Sequence, residues 1–200
     1  MKKFFMMAVM AVCALAANAQ TPAAGSITVT PKVGINVATL TNDADYSLDS
    51  KVGFTAGAEG LYMFDDMLGI SAGVMYSQQG AKGSGMLGDA KLNNDYINVP
   101  VMVNSYLANG FAVKLGVQAG FNVNNKIKVE GESVDPDDLG ALGEPFKVNS
   151  VDISIPVGVS YEYANVVLDA RYNWGVSNIF KADGLKGHNS VFQITLGYRF

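Results

Sequence analysis

The chain has 200 residues, 49% of them hydrophobic, with 22 glycines, one histidine and one cysteine. Its net charge of −4 argues against nucleic acid as a partner. A single cysteine, Cys13, rules out an intrachain disulfide and a thiolate cluster for metal.

The chain opens MKKFFMMAVMAVCALAANAQ, with two lysines, an apolar run from Phe4 to Ala17, and small residues at Ala17 and Ala19. This pattern predicts a secretory signal peptide over residues 1–19, cleaved to leave Gln20 first. The run is too short for a spanning helix, which takes about 20 apolar residues. Cys13 sits inside it as a small filler, and Met10-Ala11-Val12 before it is a poor lipoprotein box. Without Lys2 and Lys3 the 14 basic residues become 12 against 18 acidic ones, a net charge of −6. Residues 20–200 suit one domain. No later segment is long and apolar enough for a transmembrane helix, so entry into a membrane requires a closed barrel.

Period-two alternation predicts eight strands, at 28–40, 51–64, 67–79, 95–107, 111–124, 148–163, 166–175 and 190–200. Most are longer than the five or six residues usual in soluble sheets. Thirteen residues tilted ~40° rise about 33 Å, enough for an outward apolar band of ~25 Å. The connections alternate in length. Tight turns fall at Asp65-Asp66, Asn109-Gly110 and Ala164-Asn165, and the other four connections have about 10, 15, 23 and 14 residues. An outer-membrane barrel segregates its loops in this way, with tight periplasmic turns and long external loops. A soluble lipocalin-like barrel has no physical reason to do so.

Outward aromatics sort by height. Tyr62, Phe64, Phe111, Tyr161, Tyr163, Tyr198 and Phe200 lie toward the short turns. Phe54, Tyr76, Phe121, Tyr172, Trp174 and Phe192 lie toward the long loops. Aliphatic positions such as Val113, Leu115, Val117, Ile153, Ile155 and Val157 fill the space between. Two aromatic belts around an aliphatic band suit a bilayer with two interfaces. The expected fold is therefore all-β: an eight-stranded antiparallel up-and-down transmembrane β-barrel in the outer membrane, both ends periplasmic and the long loops extracellular.

The stretches GINVATL, GFTAGAEGLYMFDDMLGISAGVMYSQQGAKG, YINVPVMVNSYLANGF and LDARYNWGVSNIF resemble the small outer-membrane β-barrels of Bacteroidetes often called PorT-like. The terminal YRF, with Tyr198 and Phe200, resembles the aromatic signal read by the barrel-insertion machinery. The resemblance implies an outer-membrane location among lipid and lipopolysaccharide, and no defined activity. No motif here carries the founding protein's role in type IX secretion.

The same parity turns Lys32, Asn36, Glu59, Lys114, Gln118, Asp152, Glu162, Asp169, Arg171, Gln193 and Arg199 inward. Four cations and four carboxylates suggest mutual pairing, and eight strands leave room only for side chains. The expected lumen is a closed polar core, with most of its charge in the lower half. Inward glycines (Gly34, Gly53, Gly57, Gly73, Gly116, Gly120, Gly158 and Gly197) make room for long side chains and ease curvature. Pro31, Pro100 and Pro156 each remove a ladder hydrogen bond, and a bulge at any of them would shift the parity beyond it.

His188-Asn189-Ser190 places a histidine and a serine on one strand face. It resembles faintly the H-x-S of outer-membrane lipid A deacylases, but the rest of that motif is absent and no acidic residue is placed to orient the histidine. Polar residues at a loop boundary are the expectation. Glu130, Glu132, Asp135, Asp137, Asp138 and Glu144 in the longest loop, and Asp43, Asp45 and Asp49 in the first, offer oxygen ligands to a hard cation, though their spacing is not that of an EF-hand. They read as solvated loops, and no cofactor or metal is expected. The expected function is non-enzymatic: envelope structure, or display of acidic loops to an external ligand or partner. The alternatives are a lipid A hydrolase built on His188 and Ser190, or an accessory part of a secretion assembly.

Overall fold

The structure, a computed structural model, describes residues 21–42, 49–85, 88–129, 132–134, 149–178 and 187–200. The signal peptide expected at 1–19 lies outside them. Nine strands follow in order: β1 (Ile27–Asn42), β2 (Asp49–Met63), β3 (Leu68–Gly85), β4 (Gly88–Ala108), β5 (Phe111–Val129), β6 (Glu132–Val134), β7 (Val151–Tyr163), β8 (Val166–Gly175) and β9 (Gly187–Tyr198). All pairings are antiparallel, and each strand pairs with its neighbour in sequence except at β6. β5 pairs with β7, and β1 pairs with β9, which closes an eight-stranded ring. Closure leaves no edge in the ring, as a chain crossing lipid requires.

The seam between first and last strands runs to the final residue. Val29 and Phe200 exchange backbone hydrogen bonds of 3.1 and 2.9 Å, and the ladder resumes at Lys32 opposite Gly197 in the same register. Pro31 occupies the gap between them and keeps its pairing with Ala58 on the other side. Pro100 and Pro156 behave alike. The β3–β4 ladder lapses at Pro100 and the β5–β7 ladder at Pro156, and each resumes unshifted. A missing donor removes one bond from one ladder while the opposite ladder holds the strand. The parity therefore carries through all three prolines.

The strands on one side of the barrel run higher than expected. The 15-residue connection expected at 80–94 is largely a continuation of β3 and β4, paired up to Gly85 opposite Gly88. β5 rises with them to Val129, and β6, inside the expected 23-residue loop, pairs back on it. β7 begins at Val151, three residues later than expected. A one-residue bulge interrupts β4–β5 between Asp95 and Tyr96, and a similar shift interrupts β2–β3 between Ser50 and Thr55.

At the opposite end, residues 21–26 cross the mouth of the barrel. Gly25 donates to the Met63 carbonyl at 2.9 Å, beside the start of β1. Thr21 Oγ1 accepts from the Gly110 backbone at 3.2 Å, in the β4–β5 turn on the far side of the ring. Above this strap, Leu61, Met63, Tyr106 and Ala112 form a buried apolar layer.

Candidate functional site in the lumen and at its rim

Alternation along the strands decides which side chains meet inside. Lys32 on β1, Glu59 on β2, Lys114 on β5, and Asp169 and Arg171 on β8 converge and are almost wholly buried. Lys114 Nζ lies 2.7 Å from Glu59 Oε1 and 2.8 Å from Asp169 Oδ2. Lys32 Nζ approaches the same two oxygens at 2.9 and 3.4 Å. Arg171 takes the remaining oxygens, Nη2 to Glu59 Oε2 at 3.1 Å and Nε to Asp169 Oδ1 at 2.8 Å. Its Nη1 faces Met102 Sδ at 3.6 Å. Every carboxylate oxygen of the cluster thus meets a cation, which satisfies the requirement on buried charge. The contributing strands lie on different sides of the ring, so the pairs run across the lumen and fill it.

Below this layer Arg199 Nη1 pairs with Glu162 Oε2 and donates to the Tyr106 hydroxyl at 3.2 Å. Above it the lumen turns neutral. Asn36 and Gln79 both donate to Ser77 Oγ, at 2.7 and 2.9 Å, and Gln118 donates to Ser154 Oγ at 3.2 Å. Gln193 is buried in the same region. The Asn94 and Asn173 amides are fully buried and bond no other described residue.

Asp152 stands apart from the ionic cluster near the long-loop end. It accepts from Ser177 Oγ at 2.5 Å and Asn189 Nδ2 at 2.9 Å, and Tyr96 is adjacent through its hydroxyl's contact with Asn189. None of the four lumen cations lies within ion-pair distance of it among the described residues. The expected four-to-four pairing is therefore three cations with two carboxylates, one separate pair, and one carboxylate held by neutral donors. Charge balance draws attention to ionisable residues and passes over the neutral ones. Tyr96 and Asn98 lie inward on β4 by the alternation of the expected strand 95–107, whereas Asn94, also buried, falls in the connection expected at 80–94.

His188 Nδ1 lies 2.9 Å from the Ser177 carbonyl oxygen, which can only accept, so Nδ1 carries a hydrogen. Ser190 is buried at the register position between Thr39 and Trp174. Asp152 binds Ser177 and Asn189, where a catalytic arrangement needs a carboxylate on the ring nitrogen. The acidic residues at 130–146 lie outside the described residues except for Glu132 in β6, as do Asp43 and Asp45.

The outer face is apolar. Leu115, Val117, Val157 and Leu196 are exposed, with Phe54, Phe121, Tyr172, Trp174 and Phe192 toward the long loops and Tyr62, Phe64, Tyr163, Tyr198 and Phe200 toward the short turns. Tyr76, Phe111 and Tyr161 are half-buried among them. Tyr76, Ile97 and Phe121 share one register row, as do Tyr172 and Phe192. The Tyr198 and Phe200 rings pack edge to face at 4.9 Å.

The solved structures most like this barrel include Ail, the attachment invasion locus protein of Yersinia pestis, at 19% identity and a TM-score of 0.52. The match covers 86% of this chain and 98% of Ail. Ail in complex with the heparin analogue sucrose octasulfate matches at 18% identity and the same TM-score, covering 88% of this chain and 99% of that one. Neisserial surface protein A matches at 16% identity and a TM-score of 0.51, covering 87% of this chain and 97% of its own. At these identities the likeness concerns the fold. No curated protein matches the chain. The family model for the outer membrane protein beta-barrel domain matches residues 18–181, and the chain belongs to that family.

Proposed function

We propose that the protein is a non-enzymatic, non-conducting barrel that contributes to envelope structure and carries its long loops on the cell surface as a binding face. The observation that supports this most is the ionic cluster of Lys32, Glu59, Lys114, Asp169 and Arg171, which crosses the lumen and leaves both signs of charge paired. An ion path calls for a lining of one sign and an open bore. In this reading residues 1–19 are a cleaved leader, the tight turns and both ends are periplasmic, and Tyr198 and Phe200 are read by the insertion machinery. In the same reading the protein is one of the PorT-like barrels of Bacteroidetes, which the stretches quoted above resemble.

The test is conductance. Purified barrel in planar bilayers is expected to give no steady single-channel current above the lipid baseline. Large, long-lived openings would overturn the closed-lumen reading. The lipid A hydrolase reading draws little support from His188, because its Nδ1 hydrogen meets a neutral carbonyl where a Ser–His–acid arrangement has a carboxylate.

A further inference from the structure

Pro31, Pro100 and Pro156 each leave a gap in a ladder, but the gaps open on different surroundings. Pro100 and Pro156 are buried inside the barrel, whereas Pro31 is exposed on the outer wall. The hydrogen bonds beside Pro31 fix what its gap leaves unpaired. Val29 and Phe200 donate to each other's carbonyls across the β1–β9 seam. In an antiparallel pair the next such exchange falls two residues along each strand, which is Pro31 opposite Tyr198. Pro31 has no N–H to give. The Tyr198 carbonyl faces β1 as the Phe200 carbonyl does, and the ladder supplies it no hydrogen. In a wall that meets lipid an unpaired carbonyl is costly, because no bulk water replaces the lost donor.

The wall is recessed at the same place. A groove of about 400 Å³ is lined by Pro31, Val33, Ala56, Val166, Leu196 and Tyr198. Ala56 shares a register row with Val33 and Leu196 and is only a methyl beside them. Gly57 and Gly197, which also line the groove, add no side chain. Val33, Val166, Leu196 and Tyr198 are exposed on the face that meets lipid. Tyr198, opposite Val166, belongs to the aromatic belt at the short-turn end. Ala56 lies seven residues before Met63, the end of β2 at those turns. The groove therefore starts at headgroup depth and runs upward into hydrocarbon.

We propose that this groove seats one phospholipid with a primary ammonium headgroup, in the leaflet beside the short turns. An acyl chain lies along the apolar lining, and the ammonium donates to the Tyr198 carbonyl that Pro31 leaves without a hydrogen. An ammonium carries three donors, and a hydrogen bond from a charged donor is roughly twice as strong as a neutral one. A choline headgroup has the same charge and no N–H. It fills the groove and leaves the carbonyl unpaired, so the two headgroups separate hydrogen bonding from apolar fit. The seat is the same whichever side of the membrane the short turns face.

The experiment adds equimolar phosphatidylethanolamine and phosphatidylcholine, with identical acyl chains, to the purified full-length barrel in neutral detergent. Native mass spectrometry then counts the lipid retained. The unmutated barrel is expected to retain the ethanolamine lipid about tenfold better. Pro31→Ala supplies the missing hydrogen and should bring the two lipids level. Its new backbone amide at position 31 should exchange slowly with deuterium, as a ladder amide does. Ala56→Leu fills the upper end of the groove and should lower retention of both lipids, with heat-modifiable migration unchanged. Millimolar glycerophosphoethanolamine, which has the headgroup without the chains, should displace neither. Equal retention by the unmutated barrel, an undiminished preference in Pro31→Ala, or full retention in Ala56→Leu would each overturn the proposal. So would displacement by the soluble headgroup, or dimers of the chain in place of bound lipid. A fast-exchanging amide at position 31 would overturn the assignment of the unpaired carbonyl.

Discussion

Lys114 on β5 and Glu59 on β2 meet at 2.7 Å across the lumen, from strands three positions apart in the ring. The pair is a strut, and Arg171 makes a second one from β8 to the same carboxylate. Arg171→Ala removes a fully buried guanidinium and leaves Glu59 Oε2 and Asp169 Oδ1 each short of a cation. Breaking a buried pair in this way costs about 3–5 kcal/mol in a dry interior and less where water enters. The expected result is a lower urea or thermal midpoint with no new conducting state. Leu115→Ala on the lipid face is the control and should cost less, because lipid chains fill the space. A larger loss for Leu115→Ala would contradict the assignment of lumen and wall.

The β1–β9 seam has its own tight point. A Cβ on Gly34 would stand 2.0 Å from the Ile194 carbonyl oxygen and 2.7 Å from Thr195 Cα, both backbone atoms that cannot swing aside. Gly34→Ala should therefore destabilise by about 1–3 kcal/mol. The readout is the fraction of protein showing heat-modifiable migration after refolding, which should fall. Gly60→Ala, where the nearest neighbour lies at 3.8 Å, should refold as well as the unmutated chain.

Protease added to intact cells should cut only in the long loops, most readily between Asp135 and Glu144, where the sequence DPDDLGALGE is polar and glycine-containing. Cleavage at the Asp65 or Asn109 turns before lysis would reverse the proposed orientation.

Ser190→Ala and His188→Ala should leave the lipid A mass spectrum unchanged. A missing acyl chain in cells with the unmutated protein that returns in the Ser190 variant would make the protein a hydrolase.

The strands were legible in the sequence wherever one face meets lipid and the other meets the lumen. Alternation from Val113 to Gln118 or from Phe192 to Gly197 records that difference in surroundings residue by residue. It fails above the bilayer. Residues 80–85 pair with 88–93 without a break, but the sequence there has no apolar alternation to mark a strand. β6 was hidden for the same cause. The central ionic cluster followed from parity because charge inside a tube must be paired. The surroundings of Asp152 did not, since Ser177 comes from the irregular stretch after β8, where no periodicity fixes direction. The strap left no trace either: TPAAGS holds small residues positioned by the Gly25 and Ser26 backbone at Met63 and by the Thr21 hydroxyl at Gly110.

That strap separates Thr21 from Phe200. Phe200 leaves beside β1 at the seam, whereas Thr21 has already crossed to the β4–β5 turn before the chain goes further upstream. A fluorophore on Thr21 and another on Phe200 would report the distance between the β4–β5 turn and the seam, although β1 and β9 are hydrogen-bonded neighbours. If the strap swings free of Gly110, that distance changes. The pair is thus a distance gauge for an opening at this end, readable without any current through the lumen.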